Sequence, residues 1–559
     1  MHSSALLSLV AAAVLAPASA KPCGSPPGPR TGAVASETSI CSRVGVDVLR
    51  KHHGNAVDAA IATVICNGVV AMYHSGIGGG AFALIRSSEG DYEFIDFRET
   101  APAAATEDMY KADEKLSLYG GLASGVPGEL RGLEYMHKKY GSLPWADLFA
   151  PSVKVAREGW KVNEDLVKYM KGYDFLVTDP SWSVDFAPNG TLLQLGDTIT
   201  RKRYADFLET IAQGGADAFY TGKNAEYIIN ELTKKGGIMT LGDLKNYTVA
   251  PRETLEAEYR GHKVTSCSAP SSGGVVLSSL RIVDGYGGFN EPAQVNLSSH
   301  RLIESLKWAY GQRAELGDPK FVAGLDKYQA SMLSDETVTE IRSRISDVRT
   351  FNLSYYNPKG LESLDTPGTA HFATADASGM AVSMTSTVNL IFGSQVMIPE
   401  IGLVMNDQMN DFSIPGKTNA FGYLPSPANF VRPGKRPLSS MSPSIVETPG
   451  GKLYFVIGAA GGSRIITATI QNIHNVVDLG LTSAEALRKP RLHNQLSPEV
   501  TQFEYTYDNS TVAYLKAIGH NVTWVAPGAS AAEGVRLLRN GTFEAAGEPR
   551  LKNSGGFAV

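Results

Sequence analysis

At positions 367–369 the chain reads Pro-Gly-Thr, a turn that delivers Thr369 to the first position of a β-prone run. Inside a chain a threonine hydroxyl is a weak nucleophile. If the chain is cut before Thr369, the same residue acquires an α-amine whose pKa near ~8 lets it act as base beside its own hydroxyl. The cut can use that hydroxyl too. Attack on the carbonyl of Gly368 in an N to O acyl shift is eased where the Pro367-Gly368 turn strains the bond.

Such a residue must be held by neighbouring strands. Thr369 to Asp376 and Met380 to Thr387 are β-prone runs around the turn Ala377-Ser378-Gly379, which predicts a hairpin. Four further segments follow in order: Ser386-Thr387-Val388-Asn389, Met405-Asn406-Asp407-Gln408-Met409-Asn410-Asp411-Phe412, Pro437-Leu438-Ser439-Ser440-Met441 and Gly458-Ala459-Ala460-Gly461-Gly462-Ser463.

These segments, in this order, resemble the γ-glutamyltransferases (glutathione hydrolases), members of the N-terminal-nucleophile hydrolases, and the likeness runs from about Gly32 to the C-terminus. The resemblance implies an α/β fold, a four-layer αββα sandwich formed jointly by two autoproteolytic fragments. Residues 21–368 would be the large subunit and 369–559 the small one, associated as a heterodimer. It also implies cleavage of the γ-glutamyl amide of glutathione and its conjugates through a γ-glutamyl-threonine ester. Water, an amino acid or a dipeptide then resolves the ester, and no cofactor takes part.

Carried over by motif, Thr369 is the nucleophile, Thr387 orients it, and Gly461 and Gly462 form the oxyanion hole. Arg98, in Phe97-Arg98-Glu99-Thr100-Ala101-Pro102, takes the substrate α-carboxylate together with Ser439 and Ser440. Asn389, Gln408 and Asp411 take the α-ammonium. Without the resemblance, Arg98 reads as a surface ion pair, Asp411 as a solvated acid, and both the glycine pair and Ser439-Ser440 as turns. The chain departs from the family at Gln408, where some members carry glutamate, and at Asn410, which replaces an acid common there. Glu548-Pro549-Arg550 varies on the family's usual acid and receives no function.

Composition narrows the alternatives. With 43% hydrophobic and 19% charged residues in 559, the chain buries a large core, and without long linkers or fixed-period repeats it reads as one composite domain. A net charge of -5 provides no field for nucleic acid. Residues 1–20 read as a signal peptide, an apolar run from Ala5 to Leu15 ending in Ala18-Ser19-Ala20. That predicts secretion, with a vacuolar or membrane-anchored protein as the lesser alternative. Sequons at Asn189, Asn246, Asn296, Asn352, Asn509, Asn521 and Asn540 fit a secreted glycoprotein, each implying a surface loop if used. Four cysteines offer no paired metal-ligand spacing, so no metal is expected. Cys41 and Cys66 could bridge adjacent helices, a pairing the resemblance supports, while Cys23 and Cys267 stay unassigned.

Along the chain, a strand is expected at Gly32–Ala35, then a buried helix capped by Asn55 with Asp58 three residues later. Gly76-Ile77-Gly78-Gly79-Gly80 lies between a helix and a strand, the reverse of a dinucleotide fingerprint, and reads as close backbone packing. Arg201-Lys202-Arg203 reads as a solvated helix start. Pro270-Ser271-Ser272-Gly273-Gly274 opens a helix and is assigned packing, and Pro415 to Gly434 resembles a lid loop. Two rivals remain: a related amidase or acylase acting on another acyl group, and an inactive secreted binding protein.

Overall fold

The computed structural model describes residues 31–362, 368–417 and 424–559. The leader expected over residues 1–20, Cys23, the connection 363–367 and residues 418–423 of the lid segment lie outside the described residues. Two antiparallel sheets face each other. The seven-stranded sheet runs, edge to edge, Gly555–Ala558, Gly32–Ser36, Ala370–Asp376, Ala381–Thr387, Gly80–Arg86, Tyr92–Phe97, Ala250–Arg252. The six-stranded sheet runs Phe543–Ala546, Ala531–Leu537, Leu453–Ala460, Ser444–Glu447, His262–Cys267, Thr254–Tyr259. Helices Ser39–Arg50 and Ala56–Val70 cover the outer face of the first sheet, and Gly273–Asp284 and Arg464–Val477 that of the second. This is the αββα sandwich.

Period-two alternation explains why both sheets are buried on both faces. Val34, Ala83, Ile85 and Ile95 point to the first helix layer and pack with Ile61, Val64 and Ile65. Their neighbours Ala35, Phe82, Leu84 and Phe94 point the other way and meet Val446, Phe455 and Ile457 of the second sheet. Each such large side chain contributes roughly 1.5–3 kcal/mol of burial. Asn55 and Asp58 form a full capping box at the start of Ala56–Val70, worth about 1 kcal/mol. Cys41 and Cys66 join this helix to Ser39–Arg50 by a disulfide, and Cys267 is free and buried.

The expected hairpin forms as Ala370–Asp376 paired with Ala381–Thr387. A Cβ on Gly78 or Gly79 would lie 2.0 Å from the carbonyl oxygen of Val404 or Thr387, so those glycines do permit close backbone approach. One expectation is overturned. A helix does start at Lys202, but Arg201 is buried, and its guanidinium donates to the carbonyls of Gly68 (2.8 Å), Val69 (3.2 Å) and Gly402 (2.6 Å). Gly68 and Val69 end the helix Ala56–Val70, where unsatisfied carbonyls and the helix dipole favour a cation. Arg203 is likewise half-buried against Pro399 and Asp185. Six of the seven sequon asparagines are exposed; Asn296 is half-buried and accepts from Thr511 (2.8 Å). Asn296, Asn509 and Asn246 lie in helices rather than loops. No helix among the described residues is long and apolar enough to cross a membrane.

Candidate active site

Sheet register brings the first part of the site together. Ser386 pairs with Ala370, Thr387 with Gly80, and Ala81 with Phe97. Thr369, Thr387 and Arg98 therefore lie at the same end of four adjacent strands, although Arg98 comes from far earlier in the chain. The hydroxyl oxygens of Thr369 and Thr387 are 3.4 Å apart, and the Asn389 N–H donates to Thr387 Oγ1 at 2.7 Å. That bond holds the Thr387 hydroxyl against the hydroxyl of Thr369.

Backbone strain sits at Thr369. Thr369 has φ +124°, a region that β-branched residues avoid, and Gly368 before it has φ +135°. A Cβ on Gly368 would lie 1.7 Å from the carbonyl oxygen of Asn389, so only glycine fits there. Gly461 (φ +118°) and Gly462 (φ +61°) turn the chain from strand Leu453–Ala460 into helix Arg464–Val477. The first N–H groups of a helix lack intrahelical partners and favour negative charge. Gly461 and Thr369 line one cavity, which fits an oxyanion-stabilising turn facing the hydroxyl. His371, two residues on, is no base: burial pushes it down to about 3, and its Nδ1 lies 2.9 Å from Thr385 Oγ1.

The charged residues meet each other directly. Arg98 is 1% exposed and its guanidinium is ion-paired with the buried Asp411 carboxylate, which also accepts from Gln408 Nε2 at 2.7 Å. Neither is the surface group that residue type alone suggests. Asp411 Oδ1 and Gln408 Oε1 are buried with no hydrogen-bond donor, two acceptors positioned to receive an ammonium. Asn389 Nδ2 is engaged with the Asp407 carbonyl (3.0 Å), leaving its Oδ1 as the accepting end. Asn410 turns away and donates to Ser117 (2.9 Å), so the departure there touches no charged partner.

Several positioning residues escape sequence reasoning. Arg313, on helix Val295–Arg313, donates to Ser440 Oγ and to Ser272 Oγ, both at 3.0 Å. Ser272 in turn donates to the Ser439 carbonyl (2.6 Å), and Ser271 to that of Met441 (2.8 Å). The segment assigned to packing therefore holds the serine pair in place. Asn429 donates to the Asp411 carbonyl (2.7 Å) and accepts from Leu438 N–H (2.9 Å), tying the Asp411 segment to the one that carries Ser439 and Ser440. No local signal marks Arg313 or Asn429, because their partners are distant in the chain.

Two buried acids support the site from behind. Glu99 and Glu129 are each pushed up to about 8 by burial, Glu99 against the opposing pull of Arg98, Glu129 against its bond from Ser386. Both therefore stay protonated in the fold while the unfolded chain ionises near ~4.3. The folded state binds the extra protons, so stability falls as pH rises from about 4.5 to about 8 and then levels. Urea midpoints measured at pH 5 and pH 8 should differ by less in Glu99→Gln or Glu129→Gln than in the parent; equal differences would remove this account.

Among the described residues, His300, Glu304 and His520 lie close enough to share a cation, with ligand atoms within 4.8 Å. Apart from His520 Nδ1, which is buried without a partner, their polar atoms are already engaged. The two histidines face each other at 2.8 Å, His300 Nε2 meets the Ser346 carbonyl at 2.6 Å, and Thr350 and Tyr356 donate to Glu304. Lys307, 3.8 Å from Glu304, adds positive charge. The cluster is a buried network that ties the helix Val295–Arg313 to the stretch containing His520.

The gamma-glutamyltranspeptidase family model matches residues 41–557. Glutathione hydrolase proenzyme of Arthroderma benhamiae is 54% identical over 545 residues, covering 95% of this chain and 93% of that protein. Glutathione hydrolase of Aspergillus flavus is 51% identical over 535 residues, covering 94% and 89%. Among solved structures, cephalosporin acylase from Bacillus halodurans superposes with a TM-score of 0.82 at 28% identity over 97% of this chain and 99% of that one. Gamma-glutamyltranspeptidase of Helicobacter pylori gives a TM-score of 0.52 at 33% identity, over 55% and 90%. With a family model over most of the chain and relatives more than half identical along nearly its whole length, the chain belongs to the gamma-glutamyltranspeptidase family.

Proposed function

We propose that the protein is a γ-glutamyltransferase and glutathione hydrolase that matures by cutting itself between Gly368 and Thr369. In maturation, Thr369 Oγ attacks the Gly368 carbonyl carbon, the peptide C–N bond breaks, and the nitrogen leaves protonated as the new α-amine. Water then hydrolyses the Gly368 ester, giving a carboxylate at Gly368 and a free Thr369 hydroxyl. The left-handed backbone at Gly368 and Thr369 supports this step, since cleavage relieves it.

In turnover, the α-amine takes the hydroxyl proton as Thr369 Oγ bonds to the γ-carbonyl carbon of glutathione. The oxyanion faces the Gly461-Gly462 turn. The amide C–N bond then breaks, and the α-ammonium returns the proton to the departing cysteinylglycine amine. Water or an acceptor amine attacks the ester carbon, its proton goes to Thr369 Oγ, and glutamate or a γ-glutamyl product leaves.

The observation that carries this reading is the buried Arg98 to Asp411 pair beside the acceptors Asp411 Oδ1 and Gln408 Oε1 that lack donors. An amino acid head group offers the complementary charges: its carboxylate replaces Asp411 on Arg98, with Ser439 and Ser440 beside it, and its ammonium takes Asp411, Gln408 and Asn389. The acylase fold match is compatible with another acyl group, but such a group without the ammonium leaves these oxygens unpaired. Purified protein should release glutamate from glutathione at least about 100-fold faster than it hydrolyses the matching glutaryl amide, which lacks only the α-amine. Comparable rates would favour the acylase reading, and γ-glutamyl binding without turnover the inactive one. Secretion through the 1–20 leader, and association of fragments 21–368 and 369–559 as a heterodimer, belong to the same proposal.

A further inference from the structure

Three chain segments carry the residues assigned to the substrate head group: Arg98 lies in the first, Asp411 in the second, and Ser439 with Ser440 in the third. One lysine connects all three. Lys435 is 2% exposed, and its backbone carbonyl accepts from Ala101 N–H at 2.9 Å, while the Ala101 carbonyl accepts from Gly434 N–H, also at 2.9 Å. Those two bonds fix the stretch after Arg98 against the stretch before Ser439. Arg98 Nε adds a longer contact to the Pro437 carbonyl, at 3.4 Å.

The Lys435 side chain makes the third connection. Its ammonium donates to the carbonyls of Ala428 (2.7 Å) and Phe430 (2.8 Å), the residues on either side of Asn429. Asn429 is buried and held at both ends of its amide, by the Asp411 carbonyl and the Leu438 N–H. Its own carbonyl accepts from Ser413 N–H at 3.0 Å. Taking an ammonium out of water is unfavourable unless other groups replace its hydration. Burial pulls Lys435 down to about 8, while Asp318 and Glu107 favour its charge and Arg432 opposes it. Both acids are already paired, Asp318 with Arg252 at 3.0 Å and Glu107 with Arg432 at 2.8 Å. The ammonium therefore acts on the backbone around Asn429.

We infer that Lys435 is a positioning residue for donor binding: it fixes Asn429 through the two flanking carbonyls, and Asn429 keeps Asp411 in register with Ser439 and Ser440. The inference rests on the γ-glutamyl reading above and names a group that sets donor affinity through another residue. A change that weakens substrate and transition state alike raises KM and leaves kcat in place. That is the signature expected of this lysine.

The test uses the processed full-length protein at pH 7, below the Lys435 value, with a γ-glutamyl anilide as donor and water as acceptor. Lys435→Met should raise the donor KM about tenfold and leave kcat within about twofold. Lys435→Arg keeps a charged donor and should return KM to within about threefold of the parent. Asn429→Ala should raise KM by a similar factor, and the double variant should exceed Asn429→Ala by less than about twofold, because both changes cut one connection. Factors that multiply to about 100-fold, or a Lys435→Met loss that falls on kcat, overturn the inference. An unchanged KM in Asn429→Ala overturns it even where Lys435→Met does not fold. Cutting before Thr369, read by mass spectrometry, reports folding separately, since that step uses no head-group residue. A parent protein that never releases γ-glutamyl groups refutes the γ-glutamyl reading itself, whereas one that does, with variants that miss these values, refutes only the role of Lys435.

Discussion

Thr369→Ala yields one uncut chain and lowers γ-glutamyl release by roughly 10⁴-fold or more. Two losses coincide in this variant, because the same oxygen opens the Gly368 bond and later attacks the substrate. The Thr387 hydroxyl 3.4 Å away cannot take over, being held by the Asn389 N–H. Nor can His371, a base weakened by burial whose Nδ1 is engaged with Thr385. Mass spectrometry of the purified chain reads the first loss and glutamate release the second. Thr369→Ser separates chemistry from folding: it keeps an oxygen in place and should both cut and turn over, more slowly. Efficient cutting in Thr369→Ala would falsify the self-cleavage mechanism.

Arg98→Met lowers kcat/KM for glutathione by about 30- to 5,000-fold, corresponding to the roughly 2–5 kcal/mol that removing one partner of a buried charge pair costs. Arg98 has two successive partners, Asp411 in the structure and the substrate carboxylate in the complex. Removing it strands the Asp411 charge as well as the ligand's, so the loss exceeds that of a single contact. Arg98→Lys keeps the charge but not the planar fork, and should recover only part of the affinity. Substrate lacking the α-carboxylate supplies the control: it should distinguish the parent from Arg98→Met by less than tenfold. A full-sized difference on that substrate would place Arg98 in structure rather than recognition.

Much of the local architecture is legible in the sequence. The hairpin at Ala377-Ser378-Gly379, the Asn55 and Asp58 capping box and the strand ending at Phe97 all depend on neighbours within a few residues. Motif order added the family and, with it, the assignment of Arg98, Asn389, Gln408, Asp411, Ser439 and Ser440. Solvation was read less well. Arg201 looks like any basic residue at a helix start, yet it closes the end of a helix 133 residues away. Arg313 shows no sign of function, yet it holds Ser440 across 127 residues.

By itself the sequence determined which residues are the candidates for the chemistry: a threonine after a glycine at a strand start, glycines where backbone must approach closely, and polar motifs in a fixed order. Turns, caps and periodicity are short-range, so the chain states them directly. The tertiary structure alone decided that Arg98 and Asp411, 313 residues apart, satisfy each other in a buried pair. It also decided that one cavity brings Thr369 and Gly461 together with Glu37, His74 and Glu533. The reason is physical. A charge's behaviour depends on whether water or a distant segment surrounds it, and that is settled only when the two sheets close over one another.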